Sequence, residues 1–151
     1  MPSYYTLLAE IEKLIGEFES CLLPKSEWTH QAHLTVGLWY LSHYSRDEAT
    51  TIIRSGIQRY NEACGVITTD TSGYHETITL FFIAFIHSYL ESLRQTKSSK
   101  DSLGLSLVEV TNKFFEQYSD KNLPLQFYSR ERLMSRDARY GWIEPDLKSL
   151  E

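Results

Sequence analysis

The run ITLFFIAFIHSYL, residues 78–90, constrains this chain more than any other stretch. It is too short to cross a bilayer, which takes about 20 predominantly apolar residues. Its apolar positions do not alternate as those of a half-buried strand would, so it reads as a buried core helix. A helix that is apolar over most of its surface must be covered by others, and the flanking sequence supplies them. Leu7, Ile11, Leu14 and Phe18 recur at i, i+4, i+7 and i+11 after Ser3, a suitable N-cap, and Pro24 closes that unit. Ser26 caps a second helix through Leu34, Leu38 and Leu41 to about Tyr44. Ser45, followed by RDEA, opens a third that carries Ile53, Ile57 and Tyr60 and ends at Gly65, a natural C′ residue. The fourth spans about Tyr74 to Gln95 and contains the opening run.

After TKSSKDS, the most linker-like stretch, a fifth helix is expected from about Leu105 to Tyr118. Pro124 and Pro145 restrict residues 119–151 to short helices and irregular chain, with Ser129 and Ser135 each able to cap one. Strand alternation is nowhere sustained, and no repeat of fixed period occurs. With 151 residues, the chain suits one domain. The expectation is a single all-α domain over 1–151: a bundle of about five helices (1–118) and a C-terminal clasp (119–151).

Charge narrows the partners. The formal net charge is −5 with no long basic run, which argues against nucleic acid and against an anionic membrane surface. Cys21 and Cys64 are the only cysteines and form no CxxC pair, so reduced thiols are expected. The N-terminal MPSYYTLLAE has neither the basic nor the long apolar part of a signal peptide, and a cytoplasmic protein is expected. The anticipated partner is a small-molecule ligand of anionic character, and a homodimer is compatible with such a chain.

The chemistry-bearing residues cluster around two helix starts. SEWTHQAHL (26–34) places His30 and His33 on one helical face, and TSGYHETI (71–78) places His75 beside Glu76. Short connections make successive helices antiparallel, so the second and fourth helices should run parallel with their N-termini at the same end. That end would gather His30, His33, His75, Glu76, Glu27, Cys21 and Cys64. The following segment would fold over it with Tyr128, Arg130, Arg132 and Arg139. The positive end of a helix disfavours imidazolium and so favours neutral, metal-binding histidine.

His30, His33 and His75 are therefore candidate ligands for zinc, iron or manganese, or candidate acid–base groups, with Glu76 or Glu27 as general base on bound water. Arg130 and Arg132, with Tyr128 and Trp28, are the candidate substrate contacts. HExxH is absent, and the Glu27-x-x-His30 pair occurs once rather than on two helices as in di-iron bundles. His43 reads as a surface residue and His87 as a satisfied core histidine. The arginine-rich tail also has a structural reading, a polar clasp with Trp142 as its apolar plug.

The combination of WTHQAHL, GYHETIT and YSRERLMSRDARYGWIEPDL resembles a group of small bacterial helical proteins without an assigned activity. The resemblance implies no mechanism. Two readings follow from the residues themselves: a small-molecule-binding helical protein acting as a metal-dependent hydrolase, or a noncatalytic ligand-binding or interaction module built on Trp28, Trp39, Tyr40 and Trp142.

Overall fold

The computed structural model describes residues 4–95 and 106–150. Ser3 and the linker at 96–102 lie outside the described residues. Among those described there is no strand, and the helices are α1 (Leu8–Glu19), α2 (His30–His43), α3 (Arg46–Ala63), α4 (Glu76–Gln95) and α5 (Leu107–Tyr118), then the short α6 (Arg130–Leu133) and α7 (Arg136–Tyr140). The all-α bundle expected from the periodicity is what forms. No helix among the described residues is long and apolar enough to cross a membrane.

α2 lies at the centre of the bundle. Leu34, Thr35, Val36, Gly37 and Leu38 are all buried, and five consecutive buried positions cover every side of a helix. Its neighbours are α1, α3, α4 and α5. The enclosed polar groups are paired as burial demands: Thr35 Oγ1 donates to Gln31 O at 2.8 Å and lies 3.0 Å from the Tyr5 hydroxyl, and the Tyr40 hydroxyl donates to Glu19. α4 buries Phe81, Ile83, Ile86 and Leu90 but leaves Ile78, Thr79 and Phe82 only half-buried.

α2 and α4 are parallel. The His30 ring meets Phe82 with centroids 5.3 Å apart, and one turn or more further along both helices Gly37 faces Ile86. A Cβ on Gly37 would sit 2.8 Å from Ile86 Cδ1, so the absent side chain permits this close approach.

The tail makes a second core against α4. Phe81, fully buried, packs with Leu123, Phe127, Tyr128 and Leu133. Thr77 Oγ1 donates to Gly141 O at 2.7 Å and accepts from Ile143 N–H at 3.2 Å, while the Tyr128 hydroxyl donates to Ile143 O at 2.7 Å. Ser129 and Ser135 cap α6 and α7 as anticipated. Trp142 is not the plug: it remains 38% exposed, and Phe127, Tyr128 and Leu133 fill that role.

Helix ends follow their local chemistry, with one substitution of residue type. α3 closes in a Schellman motif, with Gly65 N–H on Glu62 O, Val66 N–H on Asn61 O and Gly65 at φ +75°. α1 closes in the same way through Cys21 N–H on Phe18 O and Leu22 N–H on Glu17 O. There Cys21 holds φ +61°, a left-handed conformation that costs an L-residue roughly 1–2 kcal/mol. Cys21→Gly should therefore raise the unfolding free energy by up to about 1 kcal/mol. Urea titration checks this, and a β-branched Cys21→Val should shift the midpoint in the opposite direction.

Candidate functional site

Between the first turns of α2 and the facing sides of α3 and α4 lies a cavity of about 330 Å³. Its walls are aliphatic and aromatic, built from Leu34 on α2, Ile53 and Ile57 on α3, and Ile78, Phe82, Ile83 and Ile86 on α4. Gly37 contributes bare backbone. The polar contributors are His30, His33, Thr79 and Lys121, the last from the chain that follows α5. An apolar concavity with a few convergent polar groups, at the small end of the usual 300–1,000 Å³ range, is the common form of a small-molecule site.

Thr29 caps α2, its Oγ1 accepting from Ala32 N–H at 3.2 Å, so the helix starts at His30 and not at Ser26. Thr29 also orients His33: the imidazole Nδ1–H donates to Thr29 O at 2.7 Å. This fixes the neutral tautomer and leaves the Nε2 lone pair without a hydrogen-bond partner among the described residues. The Trp28 indole lies on the ring, centroids 3.7 Å apart, and is itself packed on Phe18 and Tyr60 at 5.0 and 5.1 Å. Burial pushes the His33 pKa down to about 4, against the Thr29 hydrogen bond that raises it and with His30 lowering it further. Burial lowers the His30 pKa as well, with Asp120 and Lys121 acting in opposite directions. His30 Nε2 is buried and makes no hydrogen bond, an arrangement that costs roughly 1–3 kcal/mol unless a partner is supplied.

His75 and Glu76 are elsewhere, which corrects the expectation that they share this site. His75 caps α4 by accepting Ile78 N–H on Nδ1 at 3.1 Å, and its Nε2–H donates to Leu133 O at 2.8 Å. Both ring nitrogens are occupied, and the residue is only 7% exposed. Glu76 receives Arg54 in bidentate fashion, Nε to Oε1 at 3.1 Å and Nη2 to Oε2 at 2.7 Å, and accepts the Tyr74 hydroxyl on Oε1 at 2.6 Å. It ties α3 to α4, and its carboxylate is committed to that role. The described residues contain no group of three or more His, Cys, Asp and Glu side chains arranged to hold one metal ion.

The expected substrate contacts also lie outside the cavity. Arg130 and Arg132 are exposed, and Arg132 Nε donates to Glu144 O at 2.6 Å. Tyr128 belongs to the second core. Glu27 is exposed in a 3₁₀ turn, Lys25–Glu27. Arg139 is the arginine that turns inward: it donates to Asp70 O, Gly73 O and Tyr74 O at 3.2, 3.0 and 3.2 Å, fastening α7 to the loop before α4. Cys21 and Cys64 are half-buried free thiols at the ends of α1 and α3. His43 is exposed as expected, whereas His87 is half-buried and not enclosed. Lys121 was the residue missed; its only signal was a lone cation in the short SDKNLP connection.

Comparison with known proteins finds no matching family model, no similar curated protein and no matching solved structure.

The histidines make stability pH-dependent in a defined direction. Native His33, His30 and His75 all have lowered pKa values, whereas the unfolded chain titrates near 6.5. Their contribution is fully present above about pH 6.5 and is lost as pH falls below it, for His33 down to about pH 4, because the unfolded state takes up protons before the native state does. For His33, allowing for its partial exposure, the loss should be on the order of 2 kcal/mol. Urea midpoints at about pH 7 and pH 5 should diverge for the native protein and converge partly for His33→Gln. His75→Ala should cost about 1–3 kcal/mol at about pH 7, and less at about pH 5, by leaving Leu133 O and Ile78 N–H unpaired.

Proposed function

We propose that this chain binds a small molecule with an apolar body in the α2–α3–α4 cavity, its polar end meeting His30 and His33. The observation that carries this reading is the pairing of two imidazoles, both with pKa values lowered by burial, with a largely apolar enclosure. A buried histidine nitrogen without a ligand role ordinarily has a hydrogen-bond partner, as both of His75 do; His30 Nε2 is buried and has none. The aliphatic walls supply affinity through burial at about 25 cal/mol per Å², and the imidazoles fix orientation.

The metal-dependent reading draws on one feature. A ligand histidine commonly donates its other N–H to a carbonyl, and His33 does so to Thr29 O. A divalent zinc, iron or manganese ion would take His30 and His33, with its remaining positions filled by water or substrate. It would then serve as the centre of a hydrolase without His75.

Octanol is a suitable neutral probe. Binding to the folded state should raise Tm in proportion to ln(1 + [L]/Kd). Gly37→Ala should weaken that binding about three- to tenfold, because its Cβ drives Ile86 into the cavity. Protein purified without chelator tests the metal version by elemental analysis. Stoichiometric metal, with a Tm rise on adding zinc that His33→Gln abolishes, supports it; neither effect removes it.

A further inference from the structure

Cys21 and Cys64 are nucleophilic side chains that the cavity does not use. Both are free and half-buried, so neither thiol is sealed inside the core.

One side chain of α3, Tyr60, gathers them. Its ring packs on Phe18 of α1 with centroids 5.9 Å apart, and its hydroxyl donates to Leu23 O at 2.6 Å. The chain from Phe18 to Leu23 therefore wraps the Tyr60 side chain. That turn is held by Cys21 N–H on Phe18 O and Leu23 N–H on Glu17 O, each at 3.1 Å, and Cys21 lies within it. Cys64 comes one helical turn after Tyr60 on the same face of α3, with its N–H on Tyr60 O at 3.0 Å. Both thiols bear on the one hydroxyl: burial raises the Tyr60 pKa to about 12, and Cys64, then Cys21 and Glu27, add to the rise.

The backbone at Cys21 is a separate observation. The residue holds φ +61° where α3 uses Gly65 for the equivalent turn, so α1 keeps a thiol at a conformational cost, a pattern that accompanies function. A disulfide needs Cα atoms about 4.4–6.8 Å apart. Closing to that distance moves two chain ends and no helix interior, since Cys21 lies past the end of α1 and Cys64 caps α3.

We propose that Cys21 and Cys64 form a modification site, a dithiol that a low-molecular-weight disulfide oxidises to an intramolecular disulfide joining the ends of α1 and α3. The thiolate of one cysteine attacks a sulfur of the reagent; the reagent's S–S bond breaks and its first thiolate leaves, giving a mixed disulfide. The thiolate of the other cysteine then attacks the protein-bound sulfur, the mixed S–S bond breaks and the second reagent thiolate leaves. The two cysteines lose two electrons to the reagent, and their two protons pass through solvent to the departing thiolates. The bridge encloses α2 and α3 in a covalent loop, which restricts the unfolded chain more than the native one.

The test incubates the whole chain with mixtures of reduced and oxidised glutathione, in buffer and in concentrated urea, and reads thiol content and mass. In buffer both thiols should disappear together, with no glutathione retained and the chain lighter by two hydrogen atoms. Peptide mapping should join the segments that carry Cys21 and Cys64. The equilibrium constant for bridging should exceed that in urea by at least about tenfold, because the native chain already gathers the pair. The urea midpoint should rise on oxidation, and Cys64→Ser should show no such rise. Retained glutathione, a disulfide-linked dimer, thiols that stay free in excess oxidised glutathione, or a bridging constant no larger than in urea each overturns the proposal.

Discussion

The parallel contact of α2 with α4 at Gly37 and Ile86 is the constraint on which the rest depends. α2 is enclosed on every side, so each neighbour is positioned by what α2 presents to it. At Gly37 it presents no side chain, and a Cβ there would stand only 2.8 Å from Ile86 Cδ1, so α4 leaves no room for one. The same residue lines the cavity, so one missing side chain permits the helix approach and contributes open wall to the enclosed space. Thr29, one residue ahead of α2, then sets both the start of the helix and the tautomer of His33. Helix packing and the polar end of the site are thus set within nine residues of sequence.

That dependence explains which parts of the molecule could be read in advance. Apolar period and capping chemistry are local, so helix number, the caps at Ser45, Ser129 and Ser135, and the C′ glycine at position 65 were legible. The parallel direction of α2 and α4 followed from short connections. Their axial stagger did not, because it depends on how Gly37, Ile86 and Phe82 interlock. With His30 level with Phe82, His75 lies seven residues nearer the α4 start, roughly 10 Å at 1.5 Å of rise per residue. Parity brought the right ends together, and register separated the histidines.

The arginine-rich tail failed to be legible for a different reason. Residue type advertises partners among side chains and anions, but main-chain carbonyls are invisible in a sequence pattern. Arg139 is buried because the loop before α4 turns three carbonyls toward it, a shape that includes Gly73 at φ +89° with Thr68 Cα only 2.6 Å from where a Cβ would stand. Arg130 and Arg132 have no such concavity and remain at the surface. The tail, anchored by Phe127, Tyr128 and Leu133 over Phe81, covers the protruding start of α4 and so encloses His75 in the second core.

His75 and His33 show how identical side chains at comparable helix starts acquire opposite roles. Each has a lowered pKa, and in each case burial is the largest cause, so the titration shift alone does not separate them. What separates them is the count of committed nitrogens. His75 spends Nδ1 on the α4 N-terminus and Nε2–H on Leu133 O, and a ligand could reach it only by breaking a cap or releasing the tail. His33 spends Nδ1–H on the carbonyl of its own cap and retains a basic lone pair beside an apolar cavity. The fold thus uses one imidazole as a fastening and leaves the other chemically open.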